Sequence, residues 1–407
     1  MRRRVVITGT GVVAPLGYSG AALHAALLAG ESALGPVTLF PTDGRPAPCA
    51  GEVRGFDAQE HLGEGNLRPL DRMGRLVVAA AGKALADAGY GRELRAEREV
   101  GLVLGTMFCG LHTIAEFDRR NLTRGPSYAS PLDFANTVIN AAAGQTAIWH
   151  DLRGINSTLS AGAASGLQAL AYGADVIRSG RADALLAGGA DELCFETYLG
   201  FARTGGLSGA APAVPFDARR GGFALSEGAA LLMLEEAESA ARRGARVLAE
   251  VLGGGGSYDP SRGSDPRRAA RAVELSVLRA LAEAEVAAGE VDAVWAAANG
   301  SVAGDRAEAA GLAAALGSAP DHRTVPVTAV KAMLGEALGA SGPFAAVDAL
   351  MAMGDGRLPG IAGLVSTEEG FPLSVSPHSR EVAVRRAVVG AAGLDGAASA
   401  LVLARTG

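Results

Sequence analysis

Cysteine is scarce in this chain. Its 407 residues hold three, Cys49, Cys109 and Cys194, far apart and odd in number, which excludes a disulfide framework and a cysteine-built metal knuckle. A reducing cytoplasm is the expected compartment. Aromatic residues make up only 5% and charged residues 20%, beside 49% hydrophobic residues, the balance of a soluble globular protein. Beyond Met1-Arg2-Arg3-Arg4 there is no basic block, and the formal charge is 37 − 43 = −6, so nucleic acid is not an expected partner. No apolar run approaches the roughly 20 residues that a membrane span needs, and no membrane association is expected. The start imitates a secretory signal, but Thr8-Gly9-Thr10-Gly11 and then Pro15 interrupt the apolar stretch after Val5-Val6-Ile7.

What is abundant is glycine. Most of the 57 glycines read as segment ends and turns rather than tracts, which indicates many turns and closely packed small-residue helices. The length predicts two or three domains, or one fold with a repeat. Val5 to Val13 reads as a buried strand; Ala21 to Leu28 and Arg75 to Ala88 read as helices. Val100 to Gly105 reads as a strand entering the loop Thr106 to Leu111. Pro131 to Gly144 leads into a helix, Leu167 to Gly180 is helical, and Ala182 to Gly189 is a strand with a glycine exit. Such alternation predicts βαβ units around a largely parallel sheet. The second half repeats the plan: a strand at Val247 to Leu252, a helix at Pro266 to Glu285, and strands at Asp292 to Ala297 and Pro326 to Val330. A small-residue helix then runs from Ala337. Two similar halves, 1–250 and 251–407, suggest an internal duplication, and the absence of a short strict period excludes a solenoid.

Ser160 to Leu167 reads Ser-Ala-Gly-Ala-Ala-Ser-Gly-Leu, a small-residue turn between a strand and a helix. A helix start of this kind stabilises a nearby thiolate. Ala163 stands where the nucleophile would sit, and a methyl group has no lone pair to activate.

The run Pro215-Phe216-Asp217-Ala218-Arg219-Arg220-Gly221-Gly222-Phe223-Ala224-Leu225-Ser226-Glu227-Gly228-Ala229 resembles the signature of β-ketoacyl synthases of the thiolase superfamily. Arg4 to Val13 resembles their first strand, and Gly304-Asp305-Arg306-Ala307-Glu308 and Val330-Lys331-Ala332-Met333-Leu334-Gly335 match in order. The resemblance spans about residues 2 to 405. It implies an α/β thiolase-type fold of two similar halves, with mixed sheets layered between helices in five layers. It also implies acyl chains carried on acyl carrier protein, a Cys nucleophile and two His, with no cofactor and no metal. Position by position, Ala163 stands for the Cys, Asn299 for the first His and Glu336 for the second, while Lys331 is retained. Acyl transfer needs a thiolate. An ionised Glu336 would oppose an enolate that needs donors aimed at it; alternatively it pairs with Lys331 or is protonated by burial.

In this family a homologue without the Cys, the chain length factor or ketosynthase β subunit of bacterial type II polyketide synthases, pairs with a catalytic ketosynthase. The chain resembles such a subunit. It departs from the aromatic-polyketide version, in which Gln commonly holds the nucleophile position, and this leaves room for a reducing or polyene-type synthase. The expected function is a silent subunit that shapes the acyl tunnel at a two-fold interface. By resemblance the tunnel candidates are Met107, Phe108, Leu111, His112, Phe117, Asp133 and Phe134, with Leu394 at the position of a gating Phe. The alternative is an enzyme, a decarboxylase or acyltransferase using Ser160 or Ser165. Taken singly, Met107, Phe108 and Phe117 read rather as core, Asp133 as a helix-start charge, Lys331 as an ion-pair partner, and Cys109 and Cys194 as buried small hydrophobes. None of the six His sits in a matching motif. Gly9-Thr10-Gly11 lacks the context of a nucleotide site.

Overall fold

The computed structural model describes residues 3–42, 49–209, 212–317 and 325–406; Met1 and Arg2 of the basic start lie outside them. Among the described residues, ten strands form one continuous sheet. In the first half they are β1 (Val5–Val13), β2 (Gly101–Gly105), β3 (Asn156–Leu159), β4 (Ala184–Asp191) and β5 (Gly228–Glu236). In the second they are β6 (Ala249–Tyr258), β7 (Ala293–Trp295), β8 (Val327–Thr328), β9 (Arg386–Ala392) and β10 (Ala397–Ala404). Their order across the sheet is β3-β2-β4-β5-β1-β6-β10-β9-β7-β8. Each half therefore has the same internal order, and the two meet where Val6 and Ile7 of β1 pair with Glu250 and Ala249 of β6.

The pairings within the halves correspond as well. β2 is parallel to β3 and β4, as β7 is to β8 and β9. The five pairings from β4 through β5, β1, β6 and β10 to β9 are antiparallel. This corrects the expectation of a largely parallel sheet. The short turn 393–396 between β9 and β10 leaves no room for a crossover, so those strands must run antiparallel, and β4 and β5 repeat that pairing across a longer excursion.

The helices that position the site are α1 (Gly20–Ala29), α2 (Arg72–Asp87), α3 (Leu111–Arg124), α4 (Ala141–His150), α5 (Ser165–Arg178), α6 (Phe195–Thr204), α7 (Pro266–Ala284), α8 (Val302–Leu316) and α9 (Ser341–Asp355). Helices α5 and α9 lie in the middle, touching each other and strands of both halves. Twelve of the fifteen residues of α9 are buried, as a helix with no solvent face must be. Helix α2 covers the first half from outside and α7 the second. The result is a thiolase-type arrangement in which the two halves of the one sheet pack on α5 and α9 and are covered on the outside by α2 and α7.

The glycines of β1 and β6 explain how the outer helices lie so close. A Cβ on Gly9 or Gly11 would overlap the backbone of α2 at Ala84, Ala88 and Ala80; one on Gly253 or Gly255 would overlap the backbone of α7 at Ala280 and Ser276. In each half the first strand carries a glycine pair under its covering helix. Gly9-Thr10-Gly11 is thus a packing motif, with the Thr10 backbone N–H donating to Asp87.

A second long-range tie joins α1, α9 and β7. His24 is buried, with Nδ1 2.6 Å from Asp348 Oδ1 and Nε2 3.2 Å from Asp355 Oδ2; the Trp295 indole N–H donates to Asp348 at 2.6 Å. Burial alone would lower the imidazole pKa, but the two carboxylates overturn it and leave the pKa raised. The stabilisation is then complete below the unfolded value of about 6.5 and is lost as pH climbs through the folded one.

Two outcomes follow for stability. Gly11→Ala should destabilise the fold by about 1–3 kcal/mol or more, because the methyl collides with helix backbone. Gly200→Ala, at a position in α6 with open space around it, should raise stability by about 0.5–1 kcal/mol; urea unfolding that ranks them the other way contradicts the close-packing account. Between about pH 6 and pH 8, the wild-type melting temperature should fall more steeply than that of His24→Gln. Parallel slopes would show that the His24 pair does not titrate in this way.

Candidate functional site

The site lies where the first turns of α5 and α9 converge. Strand β3 delivers the chain into a turn in which Gly162 adopts a left-handed φ of 58°, followed by Ala163 and then α5. Ser165 ties this turn: its hydroxyl donates to the Gly162 carbonyl at 2.6 Å and accepts the Ala161 N–H at 2.8 Å. Ala163 is buried, and with Met107, Asn299, Glu336, Leu338 and Leu394 it lines one cavity of about 70 Å³. That volume is well below the roughly 300–1,000 Å³ typical of small-molecule sites.

Glu336 dominates the polar side of this cavity. It is buried, yet every lone-pair direction has a donor. Oε2 accepts from Lys331 Nζ at 2.7 Å and Asn299 Nδ2 at 2.9 Å. Oε1 accepts from the Leu338 N–H at 3.1 Å and the Ser341 hydroxyl at 2.8 Å. Lys331 is buried too, and also donates to the Ala297 carbonyl at 2.7 Å. The contact observed is the pairing with Lys331. The Glu336 backbone is strapped to the signature run, its N–H donating to Ala224 and its carbonyl accepting from Ser226, both at 2.8 Å.

The acidic residues near the cavity act on backbone. Asp305 accepts from the N–H groups of Phe216 at 2.8 Å, Asn299 at 3.1 Å and Gly300 at 3.2 Å, and pairs with the buried Arg220 at 3.3 Å. Burial pushes its pKa up to about 6, against the pull of these partners. Glu308 accepts from the Ala297 N–H at 2.6 Å, and burial pushes it up to about 7. The matched run Gly304 to Glu308 therefore fixes the loop that presents Asn299. Asp191, at the end of β4, accepts from Thr106 Oγ1 and the N–H groups of Met107, Phe108 and Gly339, all within 2.8–3.0 Å; burial pushes it up to about 6.

Sequence reasoning misses Asp191 and Ser341. The signal for Asp191 is an acid that closes an all-buried strand; Ser341 gives none, since its role depends on Glu336.

The tunnel candidates divide into two groups. Met107 and Leu394 line the cavity, and Leu394 is 47% exposed in the loop beside it. Phe108 turns instead into a cluster with Tyr198, Phe201 and Phe223, its ring edge-on to Phe201 at 6.2 Å. Leu111, His112 and Phe117 lie on α3, which has no buried residue. The Phe117 and Phe134 rings are 5.7 Å apart, His112 Nδ1 is 3.2 Å from Glu196, and Asp133 pairs with Arg120 at 2.7 Å. None of Leu111, His112, Phe117, Asp133 and Phe134 lines this chain's own cavity. Of the alternative nucleophiles, Ser165 is fully buried and consumed by the turn, while the exposed Ser160 donates to the Met107 carbonyl at 3.4 Å.

Among the described residues no helix is long and apolar enough to cross a membrane, and no His/Cys/Asp/Glu cluster could hold a metal. Cys109 and Cys194 are buried and Cys49 is exposed, all free. Burial pushes the thiols of Cys109 and Cys194 up to about 12, far from a reactive thiolate.

Comparison with known proteins agrees with this geometry. The profile "Beta-ketoacyl synthase, N-terminal domain" matches residues 2–240, and "Beta-ketoacyl synthase, C-terminal domain" matches residues 248–364. A 3-oxoacyl-[acyl-carrier-protein] synthase 2 of Vibrio cholerae is 32% identical, with 99% of each chain covered. The tetracenomycin polyketide synthase ketoacyl synthase beta subunit of Streptomyces glaucescens is 35% identical, over 99% of this chain and 98% of that one. The solved structure of the ishigamide ketosynthase/chain length factor superposes with a TM-score of 0.93 at 33% identity, covering both chains fully. A thiolase-type fold, the signature run strapped to the Glu336 backbone and these matches together show that the chain belongs to the β-ketoacyl synthase family.

Proposed function

We propose that this chain is the chain length factor of a type II polyketide synthase: a non-catalytic subunit that pairs with an active ketosynthase and shapes the tunnel for the growing acyl chain. The observation that carries the reading is the cavity itself. Its scaffold is that of a condensing enzyme, but Ala163 offers no nucleophile, Asn299 and Glu336 offer no imidazole, and the Glu336 carboxylate is saturated by the chain's own donors. Thioester formation at Ala163 is chemically impossible, and a fixed carboxylate disfavours any enolate beside it.

The surface supports a partner. From α3 to α4 the chain exposes Leu122, Tyr128, Leu132, Phe134, Val138 and Ile148, the first and last at 84%. Large apolar side chains left exposed along one segment are a mark of interaction surfaces. The strand β3 at the end of the sheet is paired on one side only, a second feature that proteins usually cover. Residues on this face, Phe117 and Phe134 among them, would project toward a partner's cavity, which explains why they miss this chain's own. The partner is a ketosynthase with Cys and both His, and the acyl chain arrives on acyl carrier protein. Ala163 in place of the Gln of aromatic systems favours a reducing or polyene-type synthase. The two ketosynthase-like halves are taken as 1–250 and 251–407, and the cytoplasm as the compartment.

Incubated alone with malonyl-loaded carrier protein, the chain should release no carbon dioxide above background, while the co-expressed ketosynthase pair should both decarboxylate and condense. Carbon dioxide from the isolated chain would favour the enzyme reading instead. In the reconstituted pair, Phe117→Ala or Phe134→Ala should lengthen the product by at least one two-carbon unit, because a packed wall yields little until a ring is removed. Unchanged products from both, with the pair intact by size-exclusion chromatography, would remove the wall from the account.

A further inference from the structure

We infer that the remnant cavity is a carboxylate-binding site that the chain fills with its own Glu336 side chain. This inference does not depend on the role of the chain in a synthase. Four donors from three separate segments converge on the two oxygens. Lys331 and Asn299 grip Oε2, at 2.7 and 2.9 Å. Ser341 and the Leu338 N–H grip Oε1, at 2.8 and 3.1 Å. Lys331, Ser341 and Glu336 are each less than 6% exposed, so solvent contributes little to holding this array.

The array is braced independently of the Glu336 side chain. The Lys331 ammonium also donates to the Ala297 carbonyl, the Ser341 hydroxyl also accepts the Ala337 N–H at 2.9 Å, and the Asn299 side-chain oxygen Oδ1 accepts the Ser301 N–H at 3.0 Å. Asn299 is further fixed through its backbone by Asp305. Deleting the side chain beyond Cβ therefore removes a carboxylate from a preorganised set of donors and leaves a buried cation without its counter-charge. The fragment removed by Glu336→Ala corresponds to acetate. The existing cavity already touches Glu336 and Asn299, so a small ion has a route to the vacated space. The ligand class is a small monocarboxylate, formate or acetate. Neutral isosteres would not answer the ammonium.

The experiment is chemical rescue of the full-length chain. Glu336→Ala should lower the melting temperature, and sodium acetate titrated to roughly 100 mM should restore part of the loss in a saturable way, as a ligand of the native state must. Acetamide, and sodium chloride at equal ionic strength, should not. Wild type, its site already occupied, should not respond to acetate beyond the chloride control. The chain has only two lysines, Lys83 and Lys331, which gives a readout on the donor itself. By mass spectrometry of amine labelling, Lys331 should be protected in wild type and react at least roughly ten-fold faster in Glu336→Ala. Acetate, but not acetamide, should restore its protection. If Glu336→Ala does not fold alone, refolding yield with acetate against acetamide reads the same preference. The inference is overturned if acetate and acetamide act alike, if Lys331 is labelled as readily in wild type as Lys83, or if Glu336→Ala matches wild type in both stability and labelling.

Discussion

The structure depends on a close backbone approach at its centre. A Cβ on Gly166, in the first turn of α5, or on Gly189, in β4, would overlap the carbonyl oxygen of Gly339 just before α9; one on Gly105, at the end of β2, would overlap the backbone of Ser165. Four segments from the two halves meet here with no side chain between them. Asp191 locks the junction by accepting from Gly339 in one half and from Met107 and Phe108 in the other. Because α5 and α9 must begin at this point, Ala163 and the Glu336–Ser341 segment must share one cavity, whatever side chains they carry.

That constraint sets the shape of the cavity through backbone contacts and not through the side chains at 163, 299 and 336. By its resemblance to β-ketoacyl synthases the chain would carry a thiol and two imidazoles at 163, 299 and 336, where it carries Ala163, Asn299 and Glu336. Asp305, Glu308, Asp191 and Arg220 brace the loops around the cavity. Lys331 carries a buried ammonium, and an unpaired buried charge is costly. Glu336 neutralises it at 2.7 Å. Glu336 thus supplies the counter-ion that the buried Lys331 requires.

Much of this is legible in the amino-acid order alone. Buried strands announce themselves by β-branched runs between glycines, and the run Pro215 to Ala229 points to the family. Ala163, Asn299 and Glu336 can be placed because their neighbours match in order. Strand direction is not legible, because it is decided by connections such as the turn 393–396 and not by local pattern. Strand β6 runs to Tyr258, beyond the expected end at Leu252, since Gly253 to Gly256 look like a terminator but in fact admit α7. Helix α3 carries Leu111, Ile114 and Phe117 in the pattern of a core-facing helix, yet none of its residues is buried within this chain. A sequence cannot say whether an apolar stripe is meant for its own core or for another subunit. The donors around Glu336 come from positions 299, 331, 338 and 341, and only their meeting in space shows that a carboxylate belongs there.

The central claim is that the cavity keeps its architecture but accepts no acyl group. The most direct test is the intact mass of both subunits after the reconstituted pair is mixed with acyl-loaded carrier protein and quenched during turnover. The account predicts an acyl increment on the ketosynthase partner alone, with this chain at its unmodified mass. An acyl increment on this chain, on any residue, would contradict it.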